Sequence, residues 1–193
     1  MSLEVYVTLR TWEILPTEVK RLLTIIVFFV IALCVTVAGT LAPLSTEEAA
    51  EINQELNKTQ ELIMGADFFR GTTMIFGNNF VLCLIFFIPV FGLIFGFSVL
   101  YSTGVVIAAE SISIGVHPLV GFFSLFIFPF TWLEFLAYSA AFSQSIWLMY
   151  RTIKHAWKKE LINTCIIVSI CAVTLLAAAA IEMAMIQAVT MAV

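Results

Sequence analysis

Glu110, His117, Glu134 and Glu182 stand inside or at the margins of long apolar runs. An ionisable group at the bilayer centre costs about 2.5 to 3.5 kcal/mol on insertion scales, so each calls for a chemical role or for a partner that hides it. Carboxylates and an imidazole are the usual donors of a divalent-metal site, and carboxylates beside broken helices can line a path for cations or protons. A metal site built from Glu110, His117 and Glu134 would need donors from opposite faces of the bilayer to converge, and the spacing does not require that. HExxH and GxSxG are absent, the two histidines His117 and His155 have no patterned partner, and no glycine loop cradles a phosphate. The expectation is therefore no catalytic residue, no metal and no cofactor: the chain does not read as an enzyme.

Other polar groups sit where apolar runs begin. In "IFGNNFVLCLIF" the amides of Asn78 and Asn79 stand at the start of a run that offers nothing to bond them. They could bond exposed carbonyls or the Glu134 side chain, forming a latch between two helix ends. Thr131-Trp132-Leu133-Glu134, just after Pro129, has the pattern of a capping box. Glu134 is thus read either as a cap or as a binding residue. Glu110 and His117 fall on an expected inner turn, either solvated or part of a path. Glu182 lies near the outer end of the last run, where it can snorkel toward water. Gly92 and Gly96 form a GxxxG pair that admits a close backbone, from another helix of the chain or from a second copy in a homo-oligomer.

The elements that must position these residues are apolar helices. Of 193 residues, 62% are hydrophobic and 11% charged, with a mean hydropathy of +1.07, where a soluble domain carries about 25% charge. The expected fold class is an all-α polytopic membrane bundle, a single domain over 1–193 with about five transmembrane helices plus interfacial amphipathic helices. Spans are expected near 22–41, 80–101, 112–130, 132–150 and 161–182. Residues 1–21 read as a cytosolic interfacial segment carrying Leu3, Val7, Arg10 and Trp12, and 43–79 as extracytoplasmic amphipathic helices. Ser45 and Glu48 form a capping box for one of these, and Ile52, Leu56, Thr59, Ile63 and Ala66 recur at helical spacing.

Basic residues set the orientation. Arg10, Lys20 and Arg21 precede the first span, and Arg151, Lys154, Lys158 and Lys159 follow the fourth. Both groups should be cytosolic, which makes 112–130 cross and leaves the N-terminus inside and the C-terminus outside the cell membrane. The sequon Asn57-Lys58-Thr59 then falls outside. A net charge of -4 excludes nucleic acid as a partner. Cys34, Cys83, Cys165 and Cys171, all within apolar runs, read as small packing residues.

"MIFGNNFVLCLIFFIPVFGLIFG", Met74 to Gly96, resembles the signature of the stage II sporulation protein M family, in which an aromatic helix ends in paired asparagines and enters a glycine-containing span. Ser102-Thr103-Gly104 falls where that family has an Asn-Gly pair, with Thr103 in place of Asn. Pro129 and Glu134 match its Pro-His-Gly-x-x-Glu pattern at the same offset, with Phe130 and Thr131 in place of His and Gly. The likeness covers residues 68 to 148. It implies an all-helical integral membrane protein without a catalytic centre of its own; the family's namesake belongs to a membrane assembly that recruits cell-wall hydrolases during engulfment. The expectation is a scaffold or recruiter in the lipid bilayer for other membrane or envelope proteins. The alternative is a small-solute or ion transporter or channel component using Glu110 and Glu134.

Overall fold

Pro16 holds the backbone extended, and from Thr17 the chain turns helical as α1 (Thr17–Thr40). The computed structural model describes residues 14–192 and over them contains seven α-helices and no strand. The expected interfacial segment lies outside the described residues up to residue 13; its remainder enters α1. Small side chains at every fourth position, Ala32, Thr36 and Thr40, are fully buried on one face of α1. Their hydroxyls bond back along the helix, Thr36 to the Ala32 carbonyl and Thr40 to the Thr36 carbonyl, both at 2.9 Å. Leu23, Val27 and Val30 stay exposed on the other side, as a lipid-facing surface requires.

After Pro43 the capping box forms between Ser45 and Glu48 and starts α2 (Thr46–Met64). The Ser45 amide donates to Glu48 Oε2 at 2.8 Å, and the Glu48 amide donates to Ser45 Oγ at 3.2 Å. The backbone bond from Ser45, then its hydroxyl, hold the Glu48 carboxyl below the usual carboxylate range. Asp67 accepts the amides of Phe69 and Arg70 and opens α3 (Phe68–Phe86). Then follow α4 (Phe91–Ser113), α5 (Pro118–Leu125), α6 (Pro129–Ile153) and α7 (Trp157–Ala192).

The helix bounds revise the expected spans. The run 80–101 is not one helix: it divides at Phe87–Val90 between α3 and α4. Residues 68–79, expected to lie outside with α2, form the first half of α3, which is itself long and apolar enough to cross a bilayer. The segment 112–130 does not form a crossing helix, because α4 runs on to Ser113 and α5 has only 8 residues. In all, α1, α3, α4 and α7 are long and apolar enough to span, and α5 with α6, bent by 86°, makes a fifth candidate. Four to five candidate spans thus stand against the five expected, and their places shift.

Phe86, Phe142 and Leu175 are fully buried at the centre of the bundle. Phe86 stacks on Phe142 at 4.8 Å between centroids and meets Tyr138 edge-on at 5.2 Å, pairs of a kind that add about 0.5 to 1.5 kcal/mol each beyond area burial. Close backbone approach joins α1 to α4: a Cβ on Gly39 would strike the Tyr101 carbonyl, and one on Gly104 would strike the Thr36 carbonyl. At one end of the bundle lie α2, the start of α3, the end of α4 and the start of α6, with Asn53 Nδ2 of α2 donating to the Ala109 carbonyl at 2.9 Å. The opposite end gathers the start of α1, the α3–α4 turn, the end of α6 and the start of α7, where Ser145 Oγ donates to the Ile88 carbonyl at 3.2 Å.

Candidate functional site

Asn79 and Glu134 meet between α3 and α6. Asn79 Nδ2 donates to Glu134 Oε1 at 2.5 Å, and Asn78 Nδ2 donates to Asn79 Oδ1 at 3.3 Å. The pair lies in the interior of α3 and not at the mouth of a span, because Asp67 starts that helix eleven residues before Asn78. Glu182 of α7 and Thr103 of α4 face the same cleft of about 560 Å³, whose roof includes Leu56 and Ile63 of α2. Among the described residues two carboxyl groups line this cleft and no basic side chain does.

The capping box expected at Thr131 does not form. Helix α6 already begins at Pro129, its N-cap Phe128 makes no side-chain bond, and Thr131 is buried in the first turn. Pro129 has no amide hydrogen to offer, so the helix can start there without a polar cap. This leaves the Glu134 carboxylate to the Asn79 amide.

Glu110 and His117 do not join the site. Both are exposed, at the α2 end of the bundle, whereas the expectation had set them on the face opposite α2. His117 caps α5, its Nδ1 accepting the Leu119 amide at 3.2 Å. Among the described residues no three His, Cys, Asp or Glu side chains gather as metal donors. Gly92 lies against the carbonyls of Ile85 and Phe86 across the α3–α4 turn, and Gly96 lies against the Phe142 ring. Cys83 and Cys171 are buried in the core, but Cys34 and Cys165 are exposed on the outside of the bundle, a correction to their reading as packing residues.

A second polar cluster, at the opposite end, was not legible as one. Arg21 Nη1 donates to Gln144 Oε1 at 2.8 Å and Nη2 to Glu160 Oε1 at 2.6 Å. Gln144 Nε2 completes the triangle, donating to Glu160 Oε1 at 2.8 Å and to Thr164 Oγ1 at 2.9 Å. Gln144 and Glu160 are almost wholly buried. Trp147 lies under the Arg21 guanidinium, 4.8 Å from ring centroid to Cζ, and donates through Nε1 to Thr24 Oγ1 at 3.1 Å. The cluster fastens α1, α6 and α7 together. Its available signal was Gln144, an amide within the expected span 132–150.

Beside the Glu134 cleft is an apolar groove of about 360 Å³ between the end of α2, Phe128–Phe130 and the last turns of α7. The two share Ile63, Phe130 and Glu182. The geometry therefore offers a cleft with two carboxyl groups that opens into an apolar trough beneath an amphipathic helix. No family model, curated protein or solved structure matches the chain.

Proposed function

We propose that the protein is a non-catalytic multi-pass membrane scaffold that seats a helix of a partner membrane or envelope protein along α2. The observation that carries this reading is the two-sidedness of α2. Its inner face, with Ala49, Ile52, Leu56 and Ile63, rests on the bundle, while Glu47, Glu51, Glu55 and Glu61 are exposed and only Lys58 answers them. Met64, more than half exposed, lines the apolar groove. An acidic helix beside an apolar trough suits a partner helix with basic residues on one side and large apolar side chains on the other. The resemblance to the stage II sporulation protein M family points the same way. In this reading the cell membrane holds the protein with its N-terminus cytosolic, since Lys20, Arg21, Arg151, Lys154, Lys158 and Lys159 belong to the end opposite α2, and with α2 and the C-terminus outside.

The experiment is photo-crosslinking in native membranes from a probe placed at Gln60, which lines the groove. A discrete adduct with a second membrane protein, lost in Met64→Glu, is the expected result. Crosslinks to lipid alone would overturn it.

One observation favours a second reading, transport of a small cation: Glu134 and Glu182 line one cleft that no basic side chain lines among the described residues. Glu110 has no part in it. Cation flux in liposomes that falls in Glu134→Gln and Glu182→Gln would establish that reading over the scaffold.

A further inference from the structure

The Glu134 cleft and the apolar trough beside it are two compartments of one depression, and among the described residues no basic side chain lines either. The cleft is the polar compartment. Asn79, Thr103, Glu134 and Glu182 face it from α3, α4, α6 and α7, and the two carboxyl groups are near enough to act on one another electrostatically. The trough is the apolar one. Met185, Ile186 and Val189 follow Glu182 at helical spacing along α7, a strip about 10 Å long at 1.5 Å per residue, and Met64 and Phe130 line it too.

Three observations point to what fits there. First, the acids are not answered within the fold: Glu134 is bonded by Asn79 through Oε1, and Glu182 makes no hydrogen bond or ion pair among the described residues. Two like charges on one cleft draw a cation between them. Second, Tyr138 lies one turn along α6 from Glu134 and is only 8% exposed, within electrostatic reach of both carboxyl groups, and its hydroxyl makes no hydrogen bond among the described residues. A buried phenol ordinarily has a partner, so this one has an oxygen to spare for a ligand donor. Third, polarity changes along the depression, with the acids at one end and hydrocarbon at the other. Methionine at Met64 and Met185 lets the apolar end adapt to a flexible chain.

We propose that the joined cleft and trough bind an amphiphilic primary amine, its ammonium group between Glu134 and Glu182 and its single hydrocarbon chain along α7 over Ile186 and Val189. An ammonium has three donors and no acceptor, which matches two carboxyl groups and a phenol oxygen. A phospholipid headgroup does not match, because its phosphate would meet two acids and no base. A bare metal ion would leave the trough unused. Such an amine would compete with a partner helix for the trough, yet its binding does not rest on that helix.

Native mass spectrometry of the full chain in neutral detergent, titrated at pH 7 with dodecylamine, dodecanol or butylamine, tests this. The expected result is one dodecylamine per chain, held at least about tenfold more tightly than either of the others, which lack the charge or the chain. Glu182→Gln should weaken dodecylamine about tenfold and, with no bond to lose among the described residues, should melt as the native chain does. Val189→Trp, which crowds the trough from an exposed position, should weaken it about fivefold. Glu47→Gln with Glu51→Gln, on the exposed side of α2, should leave retention unchanged. Dodecanol held as tightly as dodecylamine would mean an apolar groove without a cation seat, and butylamine held as tightly would mean a cation seat that ignores the trough. Retention that survives both Glu182→Gln and Val189→Trp would mean adsorption to the acidic surface. Each of these three results would overturn the proposal, and none bears on crosslinking from Gln60, by which the scaffold reading is judged.

Discussion

Asn79 is the residue on which the α3–α6 contact turns. Its amide donates to the Glu134 carboxyl inside a cleft that a second acid, Glu182, also lines. Removing one partner of a buried hydrogen bond leaves the other unsatisfied, at about 1 to 3 kcal/mol. Asn79→Leu should therefore lower the thermal midpoint in detergent clearly, whereas Glu134→Gln, which keeps an acceptor for the amide, should stay within about 1 kcal/mol of the native chain. Equal losses in the two variants would contradict this account. Thr72 presents the opposite case. Its hydroxyl oxygen is buried with no hydrogen-bond partner among the described residues. Thr72→Val, nearly the same in shape, should raise stability by about 1 kcal/mol or more, read by the same melting experiment.

Among the elements, the α3–α4 turn governs how the two helices of the middle region are laid out. Val90 sits at φ 65 and ψ -61, and the Phe91 amide donates to the Pro89 carbonyl at 2.8 Å. This is the positive-φ γ-turn, a rare and strained form, here centred on a β-branched residue. Val90 is more than half exposed, so its side chain stabilises little by burial. Val90→Gly should relieve about 1 kcal/mol of net strain after the flexibility of glycine is allowed for, and raise the unfolding midpoint.

The same turn explains why the element reading shifted. "VLCLIFFIPVFGLIFG" is apolar on both sides of the break, so hydropathy sees one continuous run where the backbone reverses at Pro89-Val90. Pro89, which cannot continue a helix, stands just beyond the end of α3. Conversely, Arg70, Thr72, Thr73, Asn78 and Asn79 made 68–79 look like surface, although Asp67 before them is a good N-cap and Asn79 turns inward to a partner 55 residues away. Helix α2 was legible because Ser45, Glu48 and the apolar stripe are all local signals. The link between Asn79 and Glu134 could be named as one option among several because both are polar intruders in apolar surroundings. Arg21 and Glu160 carried no such signal: each sits in a charged stretch where solvation is the ordinary reading, and only packing reveals that Glu160 is covered.

For the molecule as a whole, two polar clusters hold the bundle at different depths. The Arg21–Gln144–Glu160 cluster is the more fully bonded of them. Removing one member of a buried ion pair leaves the other uncompensated, at about 3 to 5 kcal/mol, while replacing both by apolar groups costs far less. Arg21→Met alone and Glu160→Leu alone should each strongly lower the melting midpoint in detergent, with the double variant melting above either single one. Additive losses would mean that the two side chains act independently and that the cluster does not fasten α1 to α7.

Helix α6 belongs to both clusters, through Glu134 and Gln144, which are ten residues apart. That separation is about 15 Å along the axis and roughly 80° around it. The helix therefore works as a gauge block whose two ends must be in phase with different neighbours at once. One alanine inserted between positions 134 and 144 would rotate one end by about 100° against the other. Only one cluster could then re-form, even though the chain would remain just as apolar and just as helical as before.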